Sequence, residues 1–67
     1  MTEITLNGAA RSVTGKSSIG DLIMEYKLSP NAVIVELNGT VLKAADAAMH
    51  ILAEGDRVEL IQVVGGG

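Results

Sequence analysis

Apolar and polar positions alternate from the first residues. Ile4 and Leu6 stand among Glu3, Thr5 and Asn7, the two-residue period of a strand with one buried face. Asn7-Gly8 follows at once, a dipeptide favoured in two-residue hairpin turns because both central residues of a type I′ turn need positive φ. The spacing predicts a return strand from Ala10 to Val13, with Gly15 as the next break. From Ser18 the rhythm changes: Ile19, Leu22, Ile23 and Tyr26 fall at i, i+3, i+4 and i+7, one face of a helix and a candidate core. Ser18 and Asp21 have the spacing of a capping box, with Asp giving a shorter reach than the usual Glu or Gln. Gly20 in the first turn costs about 1 kcal/mol relative to alanine, so this helix must lean on tertiary packing. Leu28-Ser29-Pro30 is the expected stop, since the residue before a proline disfavours the helical region.

A second strand pattern runs from Val33 to Leu37, with Val33, Val35 and Leu37 on one face and Ile34 and Glu36 on the other. Asn38-Gly39 repeats the turn signal, and Thr40 to Leu42 reads as a short return strand. Lys43 to Met49 is alanine-rich and fits one or two helical turns. Glu54-Gly55-Asp56 then turns the chain into a last strand, Arg57 to Val64, with Val58 and Leu60 on one face and Glu59, Ile61 and Val63 on the other.

Hairpin, helix, then further strands suits a crossover that lays the helix's apolar stripe on one face of a mixed sheet. The expected fold is α+β, of the β-grasp type, with one main helix packed on one face. A single domain spans residues 1–64, followed by a flexible glycine tail at 65–67. Ile34, Ile61 and Val63 then lie on the sheet's other face, as scattered surface hydrophobes or as a patch for a docking partner.

Composition narrows the function classes. At 67 residues with one aromatic, the chain has room for one core built from aliphatic side chains. It has no cysteine, which excludes a disulfide scaffold, a thiolate nucleophile and cysteine-type zinc sites. Eight acidic and five scattered basic side chains give a net charge of -3, which disfavours nucleic acid as a partner. No apolar run approaches the roughly 20 residues that span a bilayer, and Met1-Thr2-Glu3 does not open a signal peptide, so the expected location is cytoplasmic, with no membrane partner. His50 is read as a lone imidazole without a nearby carboxylate and nucleophile, hence structural or on the surface. Glu54, Asp56 and Glu59 are read as solvated charges. Nothing points to a bound metal or cofactor, or to a catalytic group of the chain's own.

Four segments carry a resemblance to a known family: Ile4-Thr5-Leu6-Asn7-Gly8, Val33 to Gly39, Glu54 to Glu59, and Gln62-Val63-Val64-Gly65-Gly66-Gly67. In that order and spacing the chain resembles the ubiquitin-like sulfur carriers, closest to those of thiamin biosynthesis. The resemblance maps that family's terminal Gly-Gly onto Gly66 and Gly67, with Gly65 as an additional glycine.

The resemblance implies that the Gly67 carboxylate is the working group. An E1-like adenylyltransferase would use ATP to form an acyl-adenylate. A sulfur donor system of the cysteine desulfurase type would then supply a thiocarboxylate, and a thiazole synthase would consume the sulfur. ATP would bind the partner, not this chain. A terminal carboxylate is an anion at neutral pH and a poor electrophile until activated, which fits that sequence of events. Four residues from Val64 to Gly67 reach roughly 13–14 Å when extended, enough to thread a side-chain-free end into a buried site. The resemblance also implies that Ile34, Ile61, Val63 and Val64 meet the partner. The molybdopterin-synthase small subunit shares the fold and tail and stands as the alternative carrier. A ubiquitin-like protein modifier or interaction module is the alternative of another class.

Overall fold

β1 (Thr2–Leu6) and β2 (Ala9–Val13) form the opening hairpin, with Leu6 opposite Ala9 and Thr2 opposite Val13. Asn7 and Gly8 both take positive φ, 49° and 84°, as the turn signal predicts. The structure is a computed structural model describing residues 1–63. Val64 and the expected tail, Gly65 to Gly67, lie outside the described residues. In the loop after β2 it is Lys16, not Gly15, that takes the left-handed conformation, with φ at 68°.

α1 (Ile19–Glu25) starts at a complete capping box. The Asp21 amide donates to Ser18 Oγ at 3.1 Å, and the Ser18 amide donates to the Asp21 carboxylate at 2.9 Å, so the shorter acid does reach. Gly20 has a packing reason: its amide donates to the Ala48 carbonyl at 3.0 Å, and a Cβ there would stand 3.1 Å from the same oxygen. Ile19, Leu22 and Ile23 are buried as expected, but Tyr26 is 46% exposed. The helix ends one residue before it. The ring therefore turns outward, and Arg11 donates to its hydroxyl at 2.6 Å while pairing with Glu25. The stop also comes earlier than the proline. Lys27, at φ 57°, donates to the Met24 carbonyl, and Leu28 donates to that of Ile23, the two bonds of a Schellman motif with lysine where glycine is usual. Pro30 instead opens a short 3₁₀ turn.

β3 (Val33–Leu37) and β4 (Thr40–Lys43) make the second hairpin, again with positive φ at both turn residues, Asn38 and Gly39. α2 (Ala44–Ala47) buries Ala44 and Ala47. The stretch that follows, to which periodicity assigns no element, bridges back to the start of α1 through Leu52 N to Ser17 O at 2.8 Å and buries Leu52. β5 (Arg57–Gln62) completes a sheet of order β2-β1-β5-β3-β4, parallel to β1 and antiparallel to β3. This is the expected β-grasp, with a mixed sheet and one main helix against one face. Ile4, Leu6, Ile19, Ile23, Val35 and Val58 meet in the core between them. Each such side chain contributes about 1.5–3 kcal/mol by leaving water, and with no second core to share the load the fold depends on them.

Two corrections concern the polar residues that hold β5. Asp56, expected to be solvated, is only 9% exposed, because Gly55 at φ 85° turns its side chain under the loop. Its carboxylate accepts from the Ala53 amide at 2.9 Å and the Asn38 side-chain amide at 3.0 Å, and it bonds His50 Nε2 at 2.9 Å. His50 therefore does have a carboxylate neighbour, brought there by the fold and not by spacing in the chain. Burial works against the charged form of Asp56, but the bonds from His50, Ala53 and Asn38 outweigh it and hold its pKa below the ordinary 3.8. The turn asparagines act on β5 as well: Asn38 Oδ1 accepts from the Arg57 amide at 2.8 Å, and Asn7 Oδ1 accepts from the Leu60 amide at 2.9 Å.

Asp56→Ala strips three donors of their acceptor, and its expected cost is on the order of 2–3 kcal/mol in urea unfolding. A folded pKa below the unfolded one means the native state binds this proton less readily. The stabilisation is therefore complete above the unfolded value and drains away as pH falls through it toward the folded one. Between about pH 5 and pH 2 the parent should lose stability more steeply than Asp56→Asn. Equal slopes would show that the carboxylate gains nothing from its partners.

Candidate functional site

The alternation within β3 and β5 that buries Val35 and Val58 sends Ile34 and Ile61 to the opposite face, where they are direct register partners. They are 38% and 45% exposed, and Val63, 46% exposed, follows two residues after Ile61. Its amide donates to the Ala32 carbonyl at 2.7 Å, so β5's link to β3 reaches one residue past the strand, to the last described position. The structure thus brings together three of the four apolar residues expected to meet a partner. Val64, the fourth, lies outside the described residues, as do Gly65, Gly66 and Gly67.

Val41 on β4 was not anticipated. It is exposed and pairs in register with Glu36 on this same face. The signal was present: a two-residue turn at Asn38-Gly39 sets Leu37 opposite Thr40, and hence Glu36 opposite Val41. Glu36 in turn stands opposite Glu59 on β5. Like charges directly opposed weaken a sheet, so this pair costs stability and places negative charge beside the apolar residues. Lys43, the register partner of Ile34, and Arg57, two residues before Glu59, share this face, so the apolar residues are bordered by both signs of charge.

The His50–Asp56 pair is not arranged for chemistry. Asp56 spends its oxygens on Asn38, Ala53 and His50, and no serine or threonine hydroxyl is bonded to the imidazole. Among the described residues no group of three or more His, Asp or Glu is placed to hold a metal ion. No helix among them is long and apolar enough to cross a membrane. What the described residues offer is a surface.

Comparison with known proteins agrees with that geometry. The model of the ThiS family matches residues 4–67. A crystal structure of a thiamine biosynthesis protein (ThiS) from Geobacter metallireducens is similar with a TM-score of 0.74 and 32% identity, covering 98% of this chain and all of that one. A solution structure of a thiamine biosynthesis protein from the same organism gives 0.72 and 32%, covering 98% of this chain and 88% of that one. A thiazole synthase of Magnetococcus marinus is 29% identical over 65 residues, which are 97% of this chain but only 20% of that protein. The chain thus spans about a fifth of that relative's length.

Glu36→Lys replaces the opposed like charges with an attractive pair, and a gain of about 0.2–1 kcal/mol is expected in thermal or urea unfolding. Ile61→Asp, on the exposed face, loses the cross-strand contact with Ile34 and adds charge near Glu59, and is expected to cost about 1–2 kcal/mol without unfolding the protein. A collapse of the fold in Ile61→Asp would place that side chain in the core.

Proposed function

The chain belongs to the ThiS family, and from that premise we propose that it is a sulfur carrier of thiamin biosynthesis whose reacting atoms are those of the Gly67 carboxylate. The observation that carries this reading is the family match across residues 4–67, which includes the glycines at 65, 66 and 67. An E1-like adenylyltransferase joins the carboxylate to AMP with loss of pyrophosphate, converting a resonance-stabilised anion into an electrophile. The terminal sulfur of a persulfide, from a donor system of the cysteine desulfurase type, attacks the acyl carbon and displaces AMP. A second thiol then cleaves the S–S bond and leaves a thiocarboxylate. A thiazole synthase takes that sulfur, and the carboxylate returns.

ATP and the catalytic groups belong to the partners, and this chain is their substrate. Its lack of cysteine means that no thiol of its own competes for the activated acyl group. The similarity to a segment of a longer polypeptide named thiazole synthase supports that enzyme as the sulfur acceptor, since a carrier-like segment there shares one chain with the rest of the protein. The exposed Ile34, Ile61 and Val63, the last of which immediately precedes Val64 in the chain, serve as the docking surface.

Incubation with the host's E1-like enzyme, ATP and a sulfur donor, followed by intact mass measurement, should show one oxygen exchanged for sulfur at the terminus. No exchange, or transfer of the terminus to lysines instead, overturns the carrier reading. Deleting Gly67 should abolish the exchange while thermal unfolding stays nearly unchanged, because the buried core cluster of the described residues lies within residues 4–58. Ile61→Asp should slow the exchange through weaker docking, with a cooperative melting curve preserved.

A further inference from the structure

One edge of β5 is left open where the strand leads into the tail. Odd-numbered residues of β5 bond toward β3: the Arg57 carbonyl accepts from the Asn38 amide, and the Val63 amide donates to Ala32. Even-numbered residues bond the other way, the Val58 carbonyl accepting from the Asn7 amide at 2.9 Å. The β1 pairing stops there, because the chain turns back at Asn7-Gly8; its last register pair is Leu6 with Val58. Asn7 Oδ1 extends it by one bond, to the Leu60 amide. Past that point no strand among the described residues lies along the Leu60 carbonyl and the Gln62 amide and carbonyl. A cavity of about 470 Å³ opens beside this edge, its wall mostly apolar, from Leu6, Ala9, Tyr26, Leu28 and Leu60, with the polar Asn7 and Gln62 also lining it.

We propose that this edge receives an extended segment of the enzyme that binds the tail, added as a strand beside Leu60 and Gln62 with alternate aliphatic side chains in the adjoining cavity. Backbone donors and acceptors spaced along a strand are complementary to another extended backbone, and the apolar lining selects side chains on one of its faces. The inference rests on the carrier reading, which sends the next residues of this strand into a partner's site. A partner gripping the edge at Gln62 holds the chain immediately before the tail and limits the directions the tail can take. A second copy of this chain suits the edge less well. The open stretch is too short for a stable homodimer on its own, and pairing two such edges would lay each tail against the other copy.

The test uses Gln62→Pro, which removes the amide facing the open edge while leaving the odd-numbered bonds to β3 in place. Ala9→Arg serves as a second variant that fills the cavity from an exposed position. With the host's E1-like enzyme and thiazole synthase as probes, each variant should bind at least one of them about tenfold more weakly than the parent, with a similar melting temperature. In the parent complex the Gln62 amide should be protected from hydrogen exchange, and it should exchange freely in the isolated protein. Unchanged affinity for both enzymes in both variants, or an unprotected Gln62 amide in each complex, overturns the proposal. So does protection in the isolated protein that is lost on dilution, which assigns the edge to a second copy, or lost on deleting residues 64–67, which assigns it to the tail. Sulfur exchange at the parent's terminus is scored separately, so the strand contact can fail while the carrier reading stands.

Discussion

β5 is bonded on both sides, to β1 in parallel and to β3 in antiparallel, and the rest of the molecule is organised by that fact. The strand is nearly last in the chain yet central in the sheet. Its partners come from the start and the middle of the sequence, so pairing it closes the fold. It also converts the base of the tail from a loose end into a position fixed by the whole sheet. Val63, the last described residue, is still tied to Ala32.

The start of β5 is secured by Asp56, whose charge is taken out of water and offset by bonds from three donors on two segments. A buried carboxylate is stable only when its oxygens are occupied, and here the donors also set geometry. Asn38 ties the second hairpin turn to the strand's first residue, while Ala53 and His50 hold the irregular stretch that covers the start of α1. The imidazole and carboxylate resemble part of a catalytic arrangement, but their bonds are spent on holding the loop. Asn7 does the corresponding service farther along, lending its side chain where the β1 backbone has already turned away.

With its helix-side face in the core, β5 presents two kinds of surface to a partner. Its outer face shows Ile61 beside Ile34, bordered by the opposed pair Glu36 and Glu59. Its open edge offers hydrogen-bonding groups beside a cavity of mixed, mostly apolar lining. The first is read by apolar contact and charge, the second by backbone geometry. Both lie next to the point where the strand becomes the tail.

The sequence by itself determined the elements and their faces. Two Asn-Gly turns place positive φ where glycine and asparagine tolerate it, and period-two alternation assigns Ile34 and Ile61 to one side and Val35 and Val58 to the other. The capping box at Ser18 and Asp21 was legible for the same reason, as were the three described residues of the candidate surface: each depends on neighbours a few positions away. Tertiary structure decided what depends on distant partners. Tyr26 faces outward because a Schellman stop at Lys27 pre-empts the proline, and Gly20 is explained by the Ala48 carbonyl. Asp56 is buried because donors from residues 38, 50 and 53 converge on it. The open edge at Gln62 exists because β1 ends before β5 does. Periodicity reports which face a side chain takes, whereas burial of a charge or exposure of a strand edge is set by what the rest of the chain brings alongside.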